Sequence, residues 1–270
     1  AEFVAKRRTE RGVKPKSKVT PATINKDLRH IRAALRTAHD WGLLDRVPKF
    51  KFEKEPKKLP KYVPPEDFAA IYKACDAAQY PTGLPYSSED WWRGLLTMAF
   101  LAGWRIGELL ALKWDDVDLE AGTAITRHGD NKGNRTEKVG LHPTIVDHLK
   151  NLRNFDERVF PWELSRRRLY CDFALIQDKA GIRVDCPDAG DPNHGTCTDA
   201  CRRYGFHDER RAFATLNAEH MTREALQALM RHQSSSTTDR YINNARQLNP
   251  AVEKIYVPEI LTLGNVSDGA

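Results

Sequence analysis

Four polar residues near the C-terminal end of the 270-residue chain have side chains suited to phosphoryl chemistry: His207, Arg210, His232 and Tyr241. His207 and Arg210 are three residues apart, so a helix would place both on one side. A guanidinium binds phosphate oxygens through a planar fork of donors, and a phenol becomes a nucleophile when a base assists it. The ordinary alternatives are a surface ion pair for the first two, a helix cap for His232 and core packing for Tyr241.

Two further candidates lie upstream. Arg105 follows a glycine at the predicted start of a helix, where its guanidinium and the backbone N–H groups can face the same anion. Lys132 lies in the turn 129–134 of a predicted hairpin, where a flexible ammonium can reach a leaving oxygen. Taken alone, a hairpin lysine is usually only a solubilising charge, so these residues gain meaning from the whole ordered series.

That series resembles the tyrosine recombinases, also called the phage integrase family, over about residues 62 to 250. The resemblance is carried by GWRIGELL at 103–110, NKGNR at 131–135, HDERR at 207–211, His232 and Tyr241. Residues 20–48 also resemble the last helices of the family's N-terminal core-binding domain.

The resemblance implies a site-specific DNA recombinase (integrase), of a phage, mobile element or chromosome-maintenance type, that needs no cofactor for catalysis. Tyr241 would attack a backbone phosphate and form a 3′-phosphotyrosyl intermediate, and a 5′-hydroxyl would later reseal the strand. Arg105 and Arg210 would stabilise the charge that builds on the phosphate. His207 would assist the nucleophile, and Lys132 would protonate the departing 5′-oxygen.

By the same resemblance, His232 would bind or orient the phosphate, and Glu108 would support an arginine as an outer residue of the site. The chain departs from the family's pattern at Glu209, where leucine is usual, and at Ala212, where threonine is usual. We expect the Glu209 carboxylate to reach solvent or a cation such as Arg211.

The charge of the chain is unevenly distributed. Residues 1–61 contain 18 Lys and Arg against 7 Asp and Glu, whereas the remaining residues contain 25 against 30. We expect a loose arm over residues 1–19, followed by a helix from Thr20 and Pro21 to about Gly42. One face of this helix carries cations suited to a phosphate backbone: Lys26, Arg29, Arg32 and Arg36. The alternative is a solvated basic arm without a partner.

The periodicity predicts a mainly α fold with a small antiparallel β-sheet (α+β), which the resemblance assigns to a tyrosine recombinase catalytic domain after a partial α-helical core-binding domain. The run 122–141 alternates like two strands. Helical patterns occupy 65–78, 88–102, a segment from 105, a segment after 143, 163–180, 208–220, 222–231 and 236–246. The predicted organisation is 1–48 basic arm and partial core-binding domain, 49–63 linker, 64–255 catalytic domain with an insertion at 186–201, and 256–270 tail.

The insertion is rich in soft metal ligands, namely Cys186, His194, Cys197 and Cys201. Three thiolates and one imidazole match a closed structural Zn²⁺ site, although their spacing is not that of a standard zinc ribbon. Free thiols or a disulfide are the alternatives. A zinc ion here would orient the approach to His207 without entering the chemistry.

The composition and the N-terminal sequence bear on membrane insertion, secretion and the compartment of the protein. No apolar run approaches the roughly 18 residues that span a bilayer, and the N-terminus has no signal-peptide pattern. Five cysteines in such a chain indicate a reducing compartment, so we expect a cytoplasmic protein, associated with the nucleoid if prokaryotic. The expected partner is double-stranded DNA, with a homotetramer on DNA and a monomer when free.

Two other functions fit parts of the sequence. A catalytically silent DNA-binding protein on the same fold is the first, and retention of the whole polar series argues against it. A metal-dependent hydrolase centred on the Cys and His cluster is the second, and it lacks the carboxylate expected of a general base beside an open metal position.

Overall fold

The structure is a computed structural model that describes residues 2–12, 18–55, 61–127, 136–182, 184, 203–231, 235, 238, 239 and 242. The chain divides into two units, Ala1–Leu59 and Pro60–Ala270. Within the described ranges, no helix combines the length and the apolar character needed to cross a membrane.

The N-terminal unit contains two helices, α1 (Glu2–Thr9) and α2 (Pro21–Asp40). The predicted start of α2 is confirmed, because the Thr23 N–H donates to Thr20 Oγ1 at 3.3 Å and a proline follows the cap. The loose arm predicted over residues 1–19 is wrong where α1 forms. One of its charges is paired across the unit, since Arg7 Nε donates to Asp27 Oδ2 at 2.9 Å.

The segment after α2 returns along that helix. The Asn25 side chain bonds both backbone groups of Glu53, donating from Nδ2 to the carbonyl at 2.9 Å and accepting from the N–H at 2.7 Å. A buried amide that satisfies an irregular segment in this way holds it against the helix without strand pairing. The described end of this unit is therefore tied to α2.

The second unit contains seven α-helices and a three-stranded sheet among its described residues. The helices are α3 (Pro65–Lys73), α4 (Ser88–Ala102), α5 (Ile106–Ala111), α6 (Pro143–Asn151), α7 (Arg166–Lys179), α8 (Phe206–Asn217) and α9 (Arg223–Met230). The strands are β1 (Val117–Asp118), β2 (Thr123–Thr126) and β3 (Glu137–Gly140), antiparallel in the order β1-β2-β3. The predicted α+β class and the β2–β3 hairpin are confirmed, whereas β1 was not predicted.

An aromatic cluster joins three of these helices. Trp92 of α4 stacks on Phe173 of α7 and on Phe206 of α8, with ring centroids 5.8 and 6.2 Å apart, and the two phenylalanines lie 4.8 Å apart. All three side chains are buried. Because Phe206 is the first residue of α8, this packing fixes the helix end that carries His207.

Helix α4 ends at Gly103, in a left-handed conformation with φ of 63°. A Cβ atom at this position would lie 2.7 Å from Cδ1 of Phe213, so only glycine lets the turn approach α8. Helix α5 begins three residues later, with Arg105 as its N-cap. The glycine therefore brings the Arg105 turn next to the helix of Arg210.

Candidate active site

The described part of the second unit includes four of the predicted site residues: Arg105, Glu108, His207 and Arg210. The other three, Lys132, His232 and Tyr241, lie outside the described residues. The elements beside two of them are described. Thr126 and Glu137 form the pair of β2 and β3 that is nearest in sequence to Lys132, and Arg231 directly precedes His232.

Arg105 and Glu108 are joined at the start of α5. The Arg105 N–H donates to Glu108 Oε2 at 3.0 Å, and Arg105 Nη1 donates to Oε1 at 2.8 Å. One carboxylate thus caps the helix and orients the guanidinium. The Glu108 side chain is 2% exposed and that of Arg105 is 30% exposed, so the arginine has access to an anion while its partner is shielded.

A second arginine, absent from the sequence prediction, binds the same carboxylate. Arg231 Nη2 donates to Glu108 Oε2, and the Arg231 guanidinium lies 4.5 Å from the centroid of the Trp104 ring. Burial lowers the pKa of Arg231, while the charge of Glu108 opposes that shift. No local pattern marks Arg231 in the sequence, because its partners are distant in the chain: Glu108 lies on α5, and Trp104 lies in the turn that precedes α5.

Arg210 binds the backbone of two segments, one just before Arg105 and one just before His232. It is 1% exposed, and it donates from Nη1 to the carbonyl of Gly103 and from Nη2 to that of Met230. Gly103 stands two residues before Arg105, and Met230 two residues before His232. A single buried guanidinium therefore holds both backbone segments against α8.

His207 lies on the exposed side of the first turn of α8. Its pKa is lowered from the ordinary value, first by desolvation and then by the positive charges of Arg211 and Arg210. The charge of Arg105 acts in the same direction, more weakly. At neutral pH the imidazole is consequently uncharged, which is the form that accepts a proton.

Side-chain bonds fix the segment that enters α8. Gln177 of α7 accepts from the Tyr204 N–H at 2.8 Å and donates to the Tyr204 carbonyl at 3.0 Å, as a neighbouring strand would. The Tyr204 hydroxyl donates to Asp67 Oδ2 at 2.7 Å. Asp208 then caps the helix by accepting from the Gly205 N–H at 3.0 Å. The position of His207 is thus set by contacts to two other helices.

The Glu209 side chain is buried, although the sequence predicted a contact with solvent or a cation. It is 0% exposed, and within the described structure neither carboxylate oxygen has a hydrogen-bond partner. Burial raises its pKa to about 8, and the neighbouring charge of Asp208 adds to the shift. The expected cation is engaged elsewhere, because Arg211 Nη1 donates to Asp208 Oδ1 at 2.9 Å. The expectation of a solvent or arginine contact is wrong because α8 turns Glu209 into the core.

The predicted DNA-binding residues all lie on α2 of the N-terminal unit. Lys26, Arg29 and Arg36 are exposed, and Arg32 is half-buried. Arg29 Nη2 lies 3.4 Å from Glu55 Oε1, a long contact between exposed groups that contributes little to stability. The cationic face of α2 is thus accessible to a ligand.

The predicted zinc ligands Cys186, His194, Cys197 and Cys201 lie outside the described residues. Elsewhere, in the ranges that the structure does describe, no group of three or more His, Cys, Asp or Glu side chains has the arrangement of a metal site.

The sequence and fold of this chain are similar to those of known proteins. The model of the phage integrase family matches residues 61–247. The tyrosine recombinase XerA of Thermococcus kodakarensis is 27% identical over 251 residues, covering 88% of this chain and 78% of the relative. The tyrosine recombinase XerC of Xanthomonas axonopodis pv. citri is 29% identical over 147 residues, covering 50% of this chain and 45% of the relative.

Two solved structures show the same fold at low sequence identity. A lambda integrase dimer bound to a COC′ core site superposes with a TM-score of 0.58 and 17% identity, covering 83% of this chain and 60% of that chain. A Tn1549 transposon integrase in complex with a circular intermediate DNA gives 0.60 and 15%, covering 88% and 80%.

Proposed function

The chain belongs to the phage integrase family, and we propose that it cleaves and rejoins DNA strands through a 3′-phosphotyrosyl intermediate on Tyr241. The enzyme class predicted from the sequence, a tyrosine-type site-specific recombinase, is confirmed at the level of the family. The observation that carries the proposed reaction is the grouping of Arg105, His207 and Arg210: the positive charges of both arginines lower the pKa of His207, and Arg210 donates to the carbonyl of Gly103, two residues before Arg105.

The two arginines supply the electrostatic part of the reaction. Negative charge builds on the nonbridging oxygens as the phosphorus becomes five-coordinate, and fixed cations stabilise that charge. Arg105 is accessible enough to donate to an oxygen. Arg210 is buried, so its charge acts through a medium of low polarity while its donors keep the Gly103 and Met230 segments in place.

Proton transfers complete the step. The phenol oxygen of Tyr241 bonds to phosphorus as the P–O5′ bond breaks, His207 accepts the phenol proton, and Lys132 gives a proton to the departing 5′-oxygen. His232 donates to a nonbridging oxygen. Because one phosphodiester bond replaces another of similar energy, the step runs in either direction and needs no high-energy cofactor. A 5′-hydroxyl from another strand then displaces the tyrosine.

Covalent capture tests this reaction. The protein is incubated with a pool of nicked duplexes of randomised sequence, in which the short strand leaves after cleavage, and SDS-resistant adducts are isolated and sequenced. We expect adducts that disappear in Tyr241→Phe and persist in Tyr170→Phe, which removes the hydroxyl of an exposed tyrosine of α7. An adduct that survives Tyr241→Phe would assign the nucleophile elsewhere, and a wild-type protein without adducts would favour the silent DNA-binding alternative.

A sulfur-substituted substrate tests the role of Lys132. When sulfur replaces the bridging 5′-oxygen, the leaving group is a thiol with a pKa of about 8.5, which departs without being protonated. Lys132→Ala should therefore lose cleavage of the oxygen substrate and recover most of it on the sulfur substrate. Arg105→Ala should lose both, because its charge is needed for either leaving group.

We further propose that the cationic face of α2 binds the DNA backbone. Each phosphate contact releases counterions, so a plot of the logarithm of the DNA-binding constant against the logarithm of salt concentration has a negative slope. The slope becomes shallower by about 0.9 for each contact removed. Arg36→Gln should flatten this slope by about one contact. Arg7→Gln should leave it unchanged, because Arg7 is paired with Asp27. Equal slopes in wild type and Arg36→Gln would place this face off the DNA.

The assembly follows from the reaction. Exchange between two duplexes requires the cleavage of four strands, and a protein with one tyrosine nucleophile per chain needs four copies for it. We therefore propose a homotetramer on two DNA duplexes, formed from protein that is monomeric without DNA.

A further inference from the structure

Arg231 has an unusual backbone conformation. It caps the C-terminal end of α9 with φ of 51° and ψ of 45°, and within the described ranges it is the one residue other than glycine with a positive φ. This region crowds a Cβ atom, and glycine adopts it without strain. A long charged side chain at such a position indicates that the side chain makes a contact that glycine could not supply.

The surroundings of the side chain define that contact. The Arg231 side chain is 5% exposed, its guanidinium lies over the Trp104 ring, and Nη2 binds Glu108. The negative charge of Glu137, on β3, and the positive charge of Arg105 also act on it. Arg231 therefore lies beside α5 and within reach of the charge of β3, directly before His232 in the chain.

The geometry excludes Arg231 as a phosphate ligand in this arrangement. Its Nε and Nη1 atoms are buried, and within the described structure they have no hydrogen-bond partner. A guanidinium held against an indole ring and shielded from solvent cannot reach a DNA backbone. Any role in cleavage must pass through the carboxylate that it binds.

Glu108 transmits the effect of Arg231 to Arg105. Oε1 accepts from Arg105 Nη1, while Oε2 accepts from both the Arg105 N–H and Arg231 Nη2. With both oxygens engaged, the carboxylate cannot rotate, and the Arg105 fork is held in one orientation. One carboxylate between two arginines also leaves an excess positive charge near the phosphate site.

We propose that Arg231 is a positioning residue for strand cleavage: it locks Glu108, and through Glu108 it orients the Arg105 guanidinium toward the phosphate. This inference rests on the proposed function, since it assigns a task to Arg105. It predicts that loss of Arg231 slows the chemical step more than it weakens DNA binding, because Arg105 matters most where charge develops.

The test uses the full chain and a nicked duplex chosen from the adducts of the wild-type protein. Arg231→Gly suits the backbone and removes the guanidinium. We expect adduct formation at saturating DNA to slow by about tenfold to a hundredfold, while the Kd for DNA stays within about twofold. Arg231→Lys keeps the charge without the fork, so it should recover part of the rate.

The matched control is Arg153→Gly. The Arg153 guanidinium lies 5.1 Å from the centroid of the Trp114 ring, so this variant also removes an arginine from a tryptophan face. It should leave the cleavage rate unchanged. A loss of rate in Arg231→Gly no greater than in Arg153→Gly would overturn the proposal, as would an equal loss of cleavage and of DNA affinity.

A second readout needs no DNA cleavage. The NMR signal of the Arg105 Nε–H group reports the order of that side chain, and inorganic phosphate serves as the anion probe. In Arg231→Gly, but not in Arg153→Gly, we expect the Arg105 signal to broaden or exchange faster and phosphate to bind more weakly. An unchanged Arg105 signal would overturn the positioning role even if the wild-type protein formed no adduct with DNA, a result that by itself would count only against the proposed reaction.

Discussion

Two glutamates of the second unit are buried on α5 and α8, close in the chain to Arg105 and Arg210, yet their surroundings are opposite. Glu108, on α5, receives bonds from the backbone and side chain of Arg105 and from the side chain of Arg231. Glu209, on α8, has no hydrogen-bond partner in the described structure. Both side chains are nearly inaccessible, with residue exposures of 3% and 0%. Burial alone therefore does not determine what a carboxylate does.

The difference lies in the partners of each carboxylate. A buried carboxylate that is surrounded by guanidinium groups acts as a rigid bridge between them. A buried carboxylate without such partners retains its proton instead, and burial raises the pKa of Glu209 to about 8. Glu108 thus holds the two arginines together, whereas the raised pKa of Glu209 favours its protonated form near neutral pH.

The largest effect should follow from neutralising Glu108. Glu108→Gln keeps the size of the side chain but removes the negative charge that Arg105 and Arg231 share. We expect the free energy of unfolding to fall by about 3–5 kcal/mol, the usual cost of breaking a buried ion pair. Cleavage of bound DNA should fall by roughly a hundredfold or more, because the cationic fork loses its orientation. Denaturant unfolding and single-turnover cleavage measure the two effects.

Asp172 provides the control for that variant. It is 0% exposed on α7, accepts from the N–H groups of Gln79 and Tyr80 at 3.1 and 2.8 Å, and lies 3.2 Å from Arg168 Nε, so none of these partners is a predicted site residue. Asp172→Asn should cost about 1–3 kcal/mol of stability and leave single-turnover cleavage unchanged. If it slowed cleavage as much as Glu108→Gln, lost stability rather than lost orientation would explain both variants.

Local signals in the sequence predicted much of this unit. The Ser87 hydroxyl accepts from the Asp90 N–H at 3.0 Å, and α4 begins and ends where its apolar pattern and its glycine indicated. The candidate residues on α5 and α8 were found for the same reason, since their neighbours in the chain form the motif. Such features depend on residues within one or two turns.

Features that depend on distant partners were missed. Helix α1 has too few apolar residues to be recognised, and the charge of its Arg7 is paired with Asp27, which is 20 residues away in the chain. The contact of Arg231 with Glu108 spans 123 residues. Glu209 was misjudged because the side of α8 that faces the core is set by packing against α4 and α7, and not by the charge of one residue.

The ionisation of Glu209 predicts a second, smaller effect, on stability as a function of pH. Its pKa of about 8 in the folded protein exceeds the ordinary value, so between those two pH values the folded state holds a proton that the unfolded chain has released. The free energy of unfolding should therefore fall as pH rises through this window, by an amount on the order of a few kcal/mol. Urea unfolding of the wild type and of Glu209→Gln at several pH values measures it.

Glu209→Gln should remove this dependence, because an amide does not titrate in that range. The difference between the two proteins isolates Glu209 from His207, whose lowered pKa has the opposite sign and is common to both. Cys75, whose pKa burial raises to about 12, stays protonated throughout. Asp208→Asn should move the window toward lower pH, because the charge of Asp208 contributes to the raised pKa of Glu209. Parallel pH profiles for wild type and Glu209→Gln would mean that Glu209 is ionised and paired, and the contrast with Glu108 would then disappear.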